Sequence, residues 1–122
     1  MTLTAAEANY ILENGLGSNI NFMAVGTGTT VPDELDTKLV TEVYRFPVSY
    51  NTYENKIYFT SIIPGPLSIV SIKEVGLYRN GKLAKDSGQL AARKLYNLSK
   101  LASTSYALVY EYEFTGFTDL NI

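Results

Sequence analysis

Three carboxylates lie close together in one stretch of the chain, at Asp33, Glu34 and Asp36. Their oxygens are suitable ligands for a hard cation such as calcium, which prefers carboxylate and carbonyl oxygens. The spacing does not match the calcium-loop pattern, and acidic residues in loops are usually only solvated. The sequence therefore favours a solvated acidic loop, and we expect no metal site.

A glycine-rich stretch, Val25–Thr30, precedes these acids and begins like a phosphate-binding loop. Such loops end in Gly-Lys-Ser/Thr, or carry a third glycine that lets a dinucleotide approach the backbone. Both features are missing, and Pro32 is followed by acids where a cationic residue would help. The pattern favours a structural turn. If any residues carry binding, we expect them in the loop Thr27–Asp36, which is long for a β domain.

Neither His nor Cys occurs in the 122 residues. These residues supply the usual general base near neutral pH, the commonest transition-metal ligands and the Ser-His and Cys-His nucleophile pairs. Catalysis would have to rest on carboxylates, lysine or tyrosine alone, and a sequence cannot show the cleft that a pair of catalytic acids requires. We expect no catalytic residues, no cofactor and no enzymatic activity.

Some charged residues are embedded among apolar ones, namely Glu42, Arg45, Glu74, Arg79 and Arg93. An arginine set between strand residues can bind a carboxylate through two parallel hydrogen bonds and so fix the strand register. We expect structural pairing, for example of Glu42 or Glu74 with Arg45, rather than catalysis.

The chain is rich in aromatic residues, with ten Tyr and five Phe, and tyrosine alternates with glutamate from Tyr110 to Glu113. Exposed rings at Tyr110 and Tyr112 would be able to stack on sugars. Alternation is more typical of a strand with an aromatic row facing the core and an acidic row in solvent. The net charge of −2 argues against nucleic acid or an anionic membrane as a partner.

The length and the hydrophobic pattern of the chain predict one domain, 1–122, that is mainly β from about residue 21 to 115. The predicted strands are Phe22–Val25, Val43–Tyr50, Lys56–Ile63, Ser68–Tyr78, Gln89–Leu98 and Ser105–Thr115. The second and third should form a hairpin, and Asn80-Gly81 predicts a tight type I′ turn. Gln89–Leu98 also fits a helix, but we favour a strand.

One short helix is predicted near the start of the chain, at about residues 5–14. Thr4 and Glu7 have capping-box spacing, and Gly15 and Gly17 follow as terminators. Short connections between the strands indicate an antiparallel β-sandwich or open barrel. The sequence has no basic leader with an apolar core and no long apolar run, so we expect a soluble protein without a signal peptide or membrane span.

Several stretches together resemble a known module. They are Met23–Thr30, Pro32, Thr37–Arg45, Ile63-Pro64, Ile72–Tyr78 and Asn80-Gly81. In this order they are similar to a phage structural module found at the N-termini of tail-fibre proteins and in small virion proteins. The stretches Ala5–Leu16 and Lys100–Phe114 also resemble the opening helix and closing strand of related small phage proteins.

The resemblance implies a role in attaching fibres to a baseplate, or in completing or decorating a virion. The sequence has no repetitive shaft and no receptor-binding tip, which favours a small adaptor, baseplate or decoration subunit. We expect a virion protein, made in the bacterial cytoplasm, that contacts other phage virion proteins and self-associates as a trimer or ring. The alternatives are a capsid or neck decoration protein and a small carbohydrate-binding module.

Overall fold

The computed structural model describes residues 2–4, 19–53, 56–101 and 105–113. Its strands are β1 (Thr2–Leu3), β2 (Ile20–Gly26), β3 (Glu42–Pro47), β4 (Ser49–Tyr53), β5 (Lys56–Ile63), β6 (Ile69–Arg79), β7 (Gln89–Lys100) and β8 (Tyr106–Glu113). The helix predicted at about residues 5–14 lies outside the described residues. Among the described residues, no helix is long and apolar enough to cross a bilayer.

The strands form two antiparallel sheets. The larger sheet has the order β1-β7-β6-β2-β3, and the smaller sheet has the order β4-β5-β8. This confirms the prediction of a mainly β, antiparallel chain. The strand that we favoured over a helix at Gln89–Leu98 is also confirmed as part of β7, and β5 has the predicted bounds.

The predicted single strand Val43–Tyr50 is wrong, because the chain changes sheet at Val48. β3 pairs with β2 in the larger sheet, whereas β4 pairs with β5 in the smaller one. Pro47 has no N–H to donate to a ladder, and the N–H of Val48 donates to the carbonyl of Asn21 at 3.0 Å. The predicted hairpin with Lys56–Ile63 therefore involves only the second half of that stretch.

The connection between β6 and β7 is longer than the tight turn predicted at Asn80-Gly81. Asn80 has a positive φ of 54°, but Gly81 does not, and a type I′ turn needs both. The chain continues to Gly88 before β7 begins. Ser87 organises this loop, because its hydroxyl accepts from the Lys82 N–H and donates to the Ala84 carbonyl. β6 and β7 are nevertheless neighbours, since Arg79 is paired with Gln89.

The two faces of the larger sheet are covered by different parts of the chain. One face, the inner face, packs on the smaller sheet to form a shared apolar core that includes Met23, Val75, Leu77, Phe59 and Ile63. The other, outer face carries a second cluster of Ala24, Leu39, Tyr78 and Leu90. Alternate residues of a strand project to opposite faces, which explains why neighbours such as Leu77 and Tyr78 belong to different clusters. The segment 27–41 contributes Leu39 and so packs on the outer face.

Candidate functional site

A buried ion pair lies on the outer face of the larger sheet. The Nε of Arg93, on β7, donates to Oε1 of Glu74, on β6, at 2.8 Å, and both side chains are almost fully excluded from solvent. Arg93 lies opposite Gly76 in the β6–β7 ladder, so its guanidinium reaches Glu74 diagonally across the face. The sequence did not predict this pair, since the pairing that we expected was of Glu42 or Glu74 with Arg45.

Glu74 also binds the backbone of the segment that crosses the outer face. Its Oε2 accepts hydrogen bonds from the N–H groups of Gly28 at 2.8 Å and Thr41 at 2.9 Å, and its Oε1 accepts one from Val40 at 3.0 Å. The glycine-rich stretch therefore does hold an anion with its backbone, but that anion is the chain's own carboxylate. The interpretation of this stretch as a structural turn, rather than a phosphate loop, agrees with these contacts.

Two glycines allow the segment to approach this closely. A Cβ on Gly28 would lie 2.3 Å from Cβ of Val40 and 2.5 Å from Oε2 of Glu74. A Cβ on Gly26 would lie 2.2 Å from the Thr41 carbonyl oxygen. Real Cβ atoms do not tolerate such contacts, so these glycines are needed for packing around the carboxylate.

Arg93 holds the outer part of the same segment. Its Nη2 donates to the Thr30 carbonyl at 2.9 Å, and its Nη1 lies 3.3 Å from Oδ2 of Asp36. Asp36 also accepts a hydrogen bond from the N–H of Asp33 at 2.9 Å. Within the described ranges, no three acidic side chains converge as a cation site. One of the three acids noted in the sequence thus serves to fix the segment.

The charge state of Glu74 follows from these contacts. Burial on its own would raise the pKa of this carboxyl group. The hydrogen bonds from the Thr41 N–H, the Arg93 side chain and the Val40 and Gly28 N–H groups oppose burial and bring the pKa below its ordinary value. Glu74 is therefore ionised at neutral pH and is suited to anchoring the backbone rather than to donating a proton.

A second ion pair, Glu42 with Arg45, confirms one of the predicted pairings. The Nε and Nη2 of Arg45 donate to the two carboxylate oxygens at 2.7 and 2.8 Å. The guanidinium carbon lies 4.6 Å from the ring centroid of Tyr78, and Nη1 donates to the carbonyls of Lys82 and Ser87. Arg45 therefore ties β3 to the loop between β6 and β7.

The remaining embedded groups are also structural. The hydroxyl oxygen of Tyr78 accepts a hydrogen bond from the Leu39 N–H at 2.9 Å, and burial raises the pKa of Tyr78 to about 12. The Nη1 of Arg79 donates to the side-chain oxygen of Gln89, and burial lowers the pKa of Arg79. These contacts agree with the expectation of structural pairing for the embedded charges.

The segment that Glu74 and Arg93 anchor presents apolar side chains to solvent. Val31 is 80% exposed, Leu35 is 76% exposed and Val40 is 50% exposed. We call these three side chains the apolar loop surface. Val31 and Leu35 fall within the loop Thr27–Asp36, where binding was expected, and Val40 lies just beyond it.

Tyr110, on the smaller sheet, is not positioned to stack on a sugar. Its ring is 6% exposed, so it cannot offer a face to a surface ligand, whereas Val109 and Glu111 are exposed on the opposite face of β8. This agrees with the favoured interpretation of a core-facing aromatic row, and the side chain of Tyr112 lies outside the described residues. Tyr110 is also one of the residues that line a cavity between the sheets, which the sequence did not reveal.

Comparison with known proteins adds no family assignment. No protein-family model matches the chain, and no curated protein matches it significantly. The similarity to the phage module therefore stays a prediction that rests on the residues quoted for it.

Proposed function

We propose that this chain is a structural protein of a phage virion, in the tail, baseplate or fibre-attachment apparatus. It acts by self-association and by contacts with other virion proteins. The observation that carries this proposal is the apolar loop surface of Val31, Leu35 and Val40, which is exposed on a segment fixed by buried charges.

Anchoring favours the use of this surface in protein contacts. Binding is opposed by the ordering of flexible groups, and that cost is smaller where the backbone is already held. Here the backbone is held at Gly28, Val40 and Thr41 by Glu74 and at Thr30 by Arg93. Exposed apolar side chains on such a backbone gain free energy when a partner covers them.

The location of the residues that resemble the phage module also supports the proposal. Gly26, Gly28, Arg45, Glu74 and Tyr78 all belong to the quoted stretches. In the structure they lie together around the anchored segment. The stretches that suggested the module thus include several residues that hold the segment 27–41, although Val31, Leu35 and Arg93 lie outside them.

We propose further that the two sheets form an open β-sandwich. Their shared apolar core supports this arrangement, as does the β3–β4 crossing that links the sheets at one side. At the other side, the hydroxyls of Tyr96 on β7 and Tyr106 on β8 lie 3.3 Å apart. Such a body presents strand edges, which suit repeated contacts in an assembly.

The test is the mass of the purified protein in solution by light scattering across a concentration series. We expect a trimer or a ring, and we expect Leu35→Ser to shift it towards the monomer. Leu101→Ser is the matched control, because Leu101 is 79% exposed but follows β7 and is not part of the segment 27–41. A wild-type protein that stays monomeric at high concentration, or equal effects of the two variants, would contradict self-association through this surface.

A further inference from the structure

The loop between β6 and β7 contains Asn80-Gly81, one of two Asn-Gly pairs in the sequence. Asn-Gly is the pair most prone to spontaneous deamidation, because glycine has no side chain to shield its backbone nitrogen and restricts the backbone least. That nitrogen can attack the side-chain amide carbon of the asparagine and close a five-membered ring. The pair is therefore chemically labile wherever its backbone is free to move.

The conformation and packing of the loop explain why this pair is used here. Asn80 has a positive φ of 54°, which asparagine tolerates better than most residues do. Gly81 is buried, and a Cβ at this position would lie 3.0 Å from Nη1 of Arg45 and 3.2 Å from the ring of Phe22. The loop thus favours Asn followed by Gly for reasons unrelated to deamidation.

Asn21, on β2, holds the backbone of Gly81 through two hydrogen bonds. Its Oδ1 accepts from the Gly81 N–H at 2.9 Å, and its Nδ2 donates to the Gly81 carbonyl, also at 2.9 Å. Beside them, the N–H of Asn80 donates to the carbonyl of Asn19 at 3.0 Å. The side chain of Asn21 thus pairs with Gly81 as a neighbouring strand would.

The side chain that would be attacked is not held in the same way. Asn80 is exposed to solvent, and no described residue forms a hydrogen bond with its side-chain amide. Water can therefore reach this amide, and hydrogen bonding does not restrain its rotation. Ring closure then depends on the nitrogen of Gly81, which must lose its proton and leave Asn21 before it can attack.

We infer that Asn21 protects the chain against deamidation at Asn80, and that Asn80 becomes a modification site when the two hydrogen bonds to Gly81 open. In this reaction the Gly81 nitrogen loses its proton and bonds to Cγ of Asn80, while the side-chain NH₂ takes up a proton and leaves as ammonia. Water then opens the succinimide at either carbonyl, which gives aspartate or isoaspartate. The hydrogen bond to Oδ1 of Asn21 opposes the first step, because the acceptor stabilises the protonated nitrogen.

Modification at Asn80 would alter the loop beside Arg45. Isoaspartate adds one carbon to the main chain, so Gly81 would move relative to the guanidinium that packs on it. Arg45 also donates to the carbonyls of Lys82 and Ser87, and these bonds tie β3 to the loop. Protection by Asn21 therefore preserves the contact between β3 and the β6–β7 loop over the lifetime of the folded protein.

The test compares variants of the full chain after incubation in mildly alkaline buffer, with aspartate and isoaspartate at position 80 measured by peptide mapping and mass spectrometry. Asn21→Leu removes both hydrogen bonds at similar volume, and we expect deamidation at Asn80 to accelerate about tenfold, the effect of one hydrogen bond on a rate. Asn21→Asp keeps the acceptor for the Gly81 N–H and should stay near the wild-type rate. Asn51→Leu, the same substitution at an exposed asparagine of β4, should leave the rate unchanged.

The other Asn-Gly pair, Asn14-Gly15, is the reference within each molecule. Acceleration at Asn80 alone in Asn21→Leu, with Asn21→Asp near the wild type, would support the inference. Equal acceleration at both pairs would overturn it, because the substitution would then have loosened the protein as a whole. It is also overturned if Asn21→Leu leaves the rate at Asn80 unchanged or Asn21→Asp accelerates it equally. A wild-type rate at Asn80 as high as in a peptide of residues 78–82 would overturn it as well.

Discussion

The side chain of Glu74 both forms an ion pair and accepts hydrogen bonds from the backbone. Its carboxylate is fully buried, pairs with Arg93 and accepts backbone hydrogen bonds from Gly28, Val40 and Thr41. A buried charge is tolerated only when its hydrogen-bonding capacity is satisfied, and here every contact comes from a donor that would otherwise need a partner of its own. The residue thus links β6, β7 and the segment 27–41 through one functional group.

Replacement of Glu74 by Gln should be strongly destabilising. The change leaves the buried guanidinium of Arg93 without its main counter-charge, and breaking a buried pair in this way typically costs about 3 to 5 kcal/mol. We expect a loss of this size in the free energy of unfolding from urea denaturation at pH 7. Glu34→Gln, at an exposed acid of the same segment, should change it by less than about 0.5 kcal/mol.

The stability lost in Glu74→Gln should depend on pH in a definite direction. Because the pKa of Glu74 in the folded protein is below its ordinary value of 4.5, the carboxylate stabilises the fold above that value. The contribution disappears as pH falls through the folded pKa, where the folded state must also take up the proton. The difference in stability between wild type and Glu74→Gln should therefore shrink as pH is lowered from 5 towards 3. A constant difference over that range would contradict the lowered pKa.

At the scale of elements, the segment 27–41 depends on close approach to the sheet more than on its own regular structure. Gly28→Ala should expel either Val40 or the Glu74 carboxylate, since the new Cβ would lie within 2.5 Å of both. We expect the amides of Val40 and Thr41 to lose protection from hydrogen exchange, with a fall in stability of about 1 to 3 kcal/mol. Thr29→Ala, at the exposed neighbour, is the control and should keep that protection.

Some of the strands could be predicted from the sequence pattern alone, and one could not. β5 and β8 could be predicted because each of these strands has one face that is more buried than the other. Apolar and polar residues then alternate along the sequence. The sheet change at Val48 was missed because the chain stays extended on both sides of it. The hydrophobic pattern indicates that a stretch is extended, but it does not indicate which sheet the strand joins.

The contacts that build the candidate site depend on the pairing register of the strands, which could not be predicted from the sequence. Embedding among apolar residues indicated that Glu74 and Arg93 are structural, but their pairing follows from the β6–β7 ladder. The pair Glu42–Arg45 could be predicted because its members are close in sequence and belong to the same strand.

Across the whole molecule, the larger sheet separates two apolar clusters of unequal extent. The inner core joins both sheets, whereas the outer cluster fixes only the segment 27–41 through Leu39. Local parts of a protein open with free energies set by their own contacts, so the segment should open more easily than the sheets unfold. The apolar loop surface would then depend on the outer cluster and on the contacts of Glu74 and Arg93, rather than on the inner core.

Leu39→Ala and Phe59→Ala should therefore have different consequences, although each removes a fully buried side chain. Truncation of Phe59 opens the shared core, so we expect amides of both sheets to lose hydrogen-exchange protection together, at a cost of about 3 to 5 kcal/mol. Truncation of Leu39 should expose the amides of residues 39–41 while those of β5 and β6 stay protected. If the proposed assembly role is right, Leu39→Ala also weakens self-association in light scattering without unfolding the sheets. Loss of protection throughout both sheets in Leu39→Ala would instead mean that the molecule has one cooperative core, and that the loop surface cannot be altered independently of the fold.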